Sequence, residues 1–176
     1  FESVNEFAFK INNKLKVENL IINSNILIDG SQYKRNDLIS NSLLEINDLI
    51  YLKDHEIKAS YTNKKLSIKG KGKVKLVDKF DLIDYEFVNK GSDFELLSNI
   101  ELSKLNIKNQ NLIKEYFPET KEILNLKDHK IKASYINKKL SIKGSGKVKL
   151  VEKFEFIDYK IIKKGSDLDL ESNIKL

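Results

Sequence analysis

Asp54-His55 and Asp128-His129 are the residue pairs whose chemistry would be most direct, since a carboxylate beside an imidazole can orient a general base or ligate a metal. No Ser, Cys or third ligand recurs beside either pair at a spacing that would complete such a site, and Asp just ahead of a strand is a common turn former. The pairs therefore read as turns, and no catalytic residue, metal or other cofactor is expected. Gly70-Lys71-Gly72-Lys73 has the composition of a phosphate loop, yet it lies inside an alternating run rather than between a strand and a helix. Its glycines, and Gly144 and Gly146 in a second copy, mark places where something comes close to a sheet or where the sheet curls. Lys65, Lys69, Lys71, Lys73 and Lys75 form a row of the kind that meets nucleic acid or an anionic membrane. Against that, Arg35 is the only arginine, no aromatic residues punctuate the row, and Asp93, Glu95 and Glu101 fall on the same side two strands away. The row reads as a solvated, self-neutralising face, and nucleic acid is not an expected partner.

The elements that position these residues follow from a repeat. Residues 52–102 return as residues 126–176, a period of 74 with 37 of 51 positions identical. Such a period marks a repeated supersecondary unit. The chain divides into 1–51, the end of a preceding unit plus connector, then 52–125, a unit with its connector, and 126–176, a second unit. For the first part, Leu15 to Ile22 is aligned with Ile100 to Ile107. Within each copy the period is two: Leu66, Ile68, Gly70, Gly72, Val74 and Leu76 point one way and the lysines the other, as in a strand with one apolar face. Phe94, Leu96, Ser98, Ile100 and Leu102 alternate in the same manner, as do Leu140, Ile142, Val148 and Leu150, and Leu168, Leu170, Ser172, Ile174 and Leu176. From Phe80/Leu82 to Ile83/Tyr85/Phe87 the apolar phase slips, and it slips again at Phe154/Phe156, which predicts a bulge.

Turn residues at 62–64, 78–79 and 89–93 separate the runs into an antiparallel meander of strands 56–61, 65–77, 80–88 and 94–102, with a further strand from Leu105. A short amphipathic helix is expected at 109–125, where Leu112, Ile113, Tyr116 and Phe117 share a face before Pro118, with strand at 123–127 as the competing reading. The same is expected at 36–48, from Leu38, Ile39, Ser42, Leu43 and Ile46. The fold class is thus all-β: tandem meanders making a long curled sheet, with short helical connectors. The charge reversals Glu56/Lys130, Glu86/Lys160 and Glu101/Lys175 between copies place those side chains in solvent, whereas the apolar face changes only among apolar types.

Of 176 residues, 40% are hydrophobic and 33% charged, with a formal net charge of +6 and no Cys, which excludes disulfides, thiolate nucleophiles and Cys-ligated metals. The chain lacks an initiator Met and reads as part of something longer. The run from Lys65 to Leu76, followed by Phe80 to Tyr85 and Ser92 to Leu102, resembles the repetitive region of AsmA/TamB-type envelope proteins, relatives in architecture of bridge-like lipid-transfer proteins. The resemblance implies a taco-shaped groove reaching across the periplasm from an inner-membrane anchor outside this stretch. Its apolar lining would be Leu66, Ile68, Val74, Leu76, Phe94, Leu96, Ile100 and Leu102, with Leu140, Ile142, Val148, Leu150, Leu168, Leu170, Ile174 and Leu176. The implied partners are phospholipid or another acyl-chain lipid and the outer-membrane assembly machinery; the implied role is transport and not enzymatic catalysis. The alternative is a repetitive, adhesin-like surface β-sandwich with an ordinary closed core.

Overall fold

The computed structural model describes residues 1–34, 44–45, 47–108, 123–149, 152–165 and 167–175, with only the backbone at 44, 45, 107, 108, 168 and 170. Among them every element is a strand of one antiparallel sheet. These are β1 (Glu2–Ile11), β2 (Val17–Lys34), β3 (Leu44–Glu45), β4 (Leu49–Thr62), β5 (Lys65–Lys75), β6 (Phe80–Lys90), β7 (Asp93–Lys108), β8 (Ile123–Ile136), β9 (Lys139–Lys149), β10 (Phe154–Lys164) and β11 (Asp167–Lys175). The order is β1-β2-β4-β5-β6-β7-β8-β9-β10-β11, and β3 lies beside β7 past the start of β6. The sheet is an open, curled meander and does not close into a barrel.

Local chemistry explains the meander. Asn63 and Lys64 both have positive φ (49° and 62°), as do Asn137 and Lys138 (52° and 60°), the mirror-image two-residue turn whose twist suits a hairpin. Gly91 (φ 67°) and Gly165 (φ 61°) turn β6 into β7 and β10 into β11. Each turn brings the next strand back beside the last, so packing stays local: every substantial contact between elements is between hydrogen-bonded neighbours. The described strands form a single layer. Its accessible surface is 12918 Å², whereas a compact monomer of 20.4 kDa would expose about 8,800 Å².

The structure differs from the sequence reading in four places. The bulge expected within 80–88 is absent, because β6 pairs without a register break from Phe80 to Lys90 on one side and from Leu82 to Lys90 on the other. Phe80 and Leu82 therefore lie on the charged face, 44% and 52% exposed, and Asp81 takes the apolar face instead, 5% exposed. Its Oδ1 accepts the Ser103 backbone N–H at 2.7 Å, which satisfies both groups where the β6–β7 ladder ends. Bulges sit instead in β4 and β8, where Asp54-His55 and Asp128-His129 each oppose one residue of the neighbouring strand, and a further register shift falls between Ala8 and Lys10 in the β1–β2 pair. Both Asp-His pairs lie within strands that begin earlier than expected, and are not turns ahead of them.

Second, the alignment of 15–22 with 100–107 is replaced by another. Ser24-Asn25-Ile26 of β2 faces β4 in the register that Ser98-Asn99-Ile100 of β7 uses towards β8, and the two triplets lie 74 residues apart. The β1–β2 hairpin is thus the structural counterpart of β6–β7. Third, 94–102 and the run from Leu105 are one strand, β7. Fourth, the expected helices at 36–48 and 109–125 fall largely outside the described residues; of the parts that are described, Leu44–Glu45 is strand, Asn47 and Asp48 are in neither helix nor strand, and β8 starts at Ile123, as the competing strand reading of 123–127 has it.

Candidate functional site: the apolar face

Registered pairs build one face across the sheet. Gly72, Ile83, Ile100, Ile131, Gly144, Tyr159 and Ser172 stand side by side from β5 to β11, an uncharged row seven strands wide. At about 4.8 Å between strands it runs about 29 Å. The adjacent row is Ile57, Gly70, Tyr85, Ser98, Ala133, Ile142 and Ile161. The Ser98 hydroxyl within it donates to the Asp84 carbonyl at 3.0 Å and so adds no unpaired polar group.

The face is graded along the strands. At the end bearing the bulges Val74, Leu102, Leu105, Leu124, Leu126 and Val148 are buried, with Leu76 and Val77 packed on the same cluster. At the hairpin end Phe94 and Leu96 are 43% and 40% exposed, and Phe94 stacks on Tyr135 (centroids 4.9 Å) and tilts against Phe87 (6.0 Å). Of the residues expected to line a groove, Leu66, Ile68, Val74, Phe94, Leu96, Ile100, Leu102, Leu140, Ile142, Val148 and Ile174 share this face through the strand register. Leu150 and Leu176 lie outside the described residues; Leu168 and Leu170 occupy backbone positions in β11.

The repeated glycines and histidines act together on this face. A Cβ on Gly72 or Gly146 would come within 2.5 Å of the imidazole of His55 or His129, and one on Gly70 or Gly144 would meet the ring of Tyr85 or Tyr159. Each glycine is therefore the floor on which a cross-strand ring lies, the pairing by which aromatics compensate glycine in sheets. The bulge makes this possible. With Asp54 and Asp128 at φ 54° and 55°, the extra residue shifts the side-chain phase, so that Leu52 and Ile57, of opposite parity, both reach the apolar face. The parity break between Leu124/Leu126 and Ile131/Ala133 is the sequence signal that locates it.

His129 is 1% exposed; its Nε2–H donates to the Lys147 carbonyl at 2.9 Å, leaving Nδ1 to accept from the Tyr159 hydroxyl at 3.4 Å. His55 repeats the first bond, to Lys73 at 3.0 Å. Burial holds His129 below its ordinary value and pushes the Tyr159 phenol up to about 12. Asp54 lies on the exposed side, held below its usual value by the Lys73 ammonium 2.8 Å away. The His129 imidazole is thus closed off by a carbonyl, a ring and a glycine, and that of His55 by a carbonyl and a glycine. Among the described residues no group of three or more His, Asp or Glu stands as a metal site.

His129 fixes an acid dependence. The unfolded chain protonates it near 6.5, the folded protein only at lower pH, so its stabilising contribution is complete above about 6.5 and is lost as pH falls through that value towards the folded one. Urea midpoints measured from pH 7.5 to 5 are expected to fall more steeply for the wild type than for His129→Gln, which keeps an N–H donor for the Lys147 carbonyl.

The opposite face is charged and paired. Lys71–Glu56 (2.8 Å), Lys69–Glu86 (3.2 Å) and Lys160–Glu171 (3.0 Å) cross between strands. A concavity of about 900 Å³ lies here, lined by Lys132, Lys143 and Lys160 with Glu101, Asp158 and Glu171. Ammonium and carboxylate groups both line it, with Lys132, Lys143 and Lys160 side by side across β8, β9 and β10. No family model, curated protein or solved structure matches the chain.

Proposed function

We propose that the apolar face is a carrier surface for acyl chains, so that the protein shields or passes phospholipid along the inter-strand direction, in the manner of the envelope lipid-transfer grooves its strands resemble. One observation supports this reading above others: two neighbouring rows, one uncharged from Gly72 to Ser172, cross the sheet, and no other element among the described residues packs over them. Each buried methylene of a guest contributes about 0.8 kcal/mol, and half-exposed residues such as Leu96 gain from the same contact. The graded burial gives the guest a direction of entry. Chains reach the face from the hairpin end, at Phe87, Phe94 and Tyr135, while the cluster around Leu102 and Val148 closes the other end.

On this reading the protein works in the cell envelope, and its lysine-rich reverse side stays in water. The competing role, display by a closed sandwich, requires a second sheet over the apolar face, whereas the described residues form one sheet. Native mass spectrometry of protein purified from cells is expected to show phospholipid adducts, and stripping the lipid should raise the binding of an apolar dye. Absence of any co-purifying phospholipid, together with no change on delipidation, would sink the proposal.

A further inference from the structure

We propose that the outer edge of β11 is an acceptor for one more strand, of the β4 type, carried by a further repeat unit, and that Lys175 selects its sequence. The inference rests on strand pairing alone and is independent of what the apolar face carries. The same edge is used twice within the sheet. Ser24-Asn25-Ile26 of β2 receives Ala59, Lys58 and Ile57 of β4, and Ser98-Asn99-Ile100 of β7 receives Ala133, Lys132 and Ile131 of β8. Ser172-Asn173-Ile174 of β11 is the third copy of this triplet, 74 residues further on, held by β10 on its inner side as β7 is by β6. Its outer side pairs with no strand among the described residues. An unpaired edge of this kind is a template for strand addition.

The residue after Ile174 decides which strand fits. In β7 that position is Glu101, opposite Lys130 of β8, with 3.6 Å between the charges. In β11 it is Lys175, so a β8-type strand would set Lys against Lys, and a β4-type strand, with Glu56 after His55, would set Glu against Lys. Opposite charges directly across strands favour pairing and like charges oppose it. A second copy of this chain does not supply the strand: its β4 and β8 are each paired on both sides, and its free β1 is the counterpart of β6, whose outer neighbour is a β5-type strand.

The test adds synthetic peptides to the 176-residue protein and follows amide hydrogen exchange and fluorescence anisotropy. The peptide of residues 49–62 is expected to protect β11 amides and to bind about fivefold more tightly than its Glu56→Lys form. Lys175→Glu in the protein should reverse that order, a readout that general stickiness of an apolar peptide does not give. Protection of β1 instead of β11, equal affinity for both peptides, no β11 protection at about millimolar peptide, or β11 protection that grows with protein concentration alone would each overturn the proposal.

Discussion

Gly146→Ala is expected to lower stability by about 2–3 kcal/mol. The new Cβ would stand 2.5 Å from His129 Cδ2 and 2.8 Å from its Cα. The imidazole has nowhere to go: it is 1% exposed, hydrogen-bonded to the Lys147 carbonyl, and its own Cα is part of the β8 bulge. Removing the ring as well, in Gly146→Ala/His129→Ala, should recover little, because the collision with the β8 backbone remains and a void is added. Other glycines calibrate the effect. At Gly144 all three close approaches are to the far end of the Tyr159 ring, which can swing off the open face, so Gly144→Ala should cost about 1 kcal/mol and bring the phenol back from about 12 towards its ordinary value. Gly165→Ala meets no atom but inherits a φ of 61°, a cost of about 1–2 kcal/mol. Gly30→Ala, with only the Leu52 carbonyl at 4.0 Å, should be neutral or slightly stabilising. Urea midpoints across this series check the ranking, and a Gly146→Ala protein as stable as Gly30→Ala would refute the ring-on-glycine account.

Ile142→Asp, and Ile68→Asp in the first copy, are expected to reduce co-purified lipid at least tenfold while leaving strand content nearly unchanged. Both residues sit mid-strand on the apolar face, Ile68 between Ala59 and Phe87 and Ile142 between Ala133 and Ile161. On a face open to water the carboxylate keeps its hydration, so the protein loses only the burial of a partly buried side chain, about 1–2 kcal/mol. A guest acyl chain, by contrast, would have to strip that charge of water, which costs several times more. In a sealed core the protein itself would bear that cost and unfold. Circular dichroism and lipid extraction on the same sample separate the outcomes: folded and lipid-poor supports a carrier face, folded and lipid-replete rules it out. Lys69→Glu, which breaks only the exposed 3.2 Å pair with Glu86, should change neither by a measurable amount.

Much of this was legible in the residues because a period of two states a face directly. The alternation from Leu66 to Val74 named the apolar side of β5, and the turn residues at 63–64, 91 and their copies fixed which strands are neighbours. Where alternation slipped, the sequence permitted two answers. At Phe80–Phe87 the slip suggested a bulge, yet the ladder is unbroken, because a buried Asp81 has a Ser103 N–H to accept and Phe80 and Leu82 tolerate exposure. At Asp54-His55 the slip was masked by turn-like composition, although the opposite parity of Leu52 and Ile57 held the information.

The sequence by itself determined the repeat, the antiparallel order of the strands, the face on which the side chains of the cleanly alternating runs lie and the lack of cysteine. These are local properties, fixed by alternation, turn dihedrals and composition. Only the tertiary structure decided that no other described element packs over the apolar face, that His55 and His129 lie flat on the glycines of the next strand, and that β2, β7 and β11 offer the same edge. Those facts depend on register between strands tens of residues apart, where a Cβ either fits or collides, and no single segment of the chain carries that distance within itself.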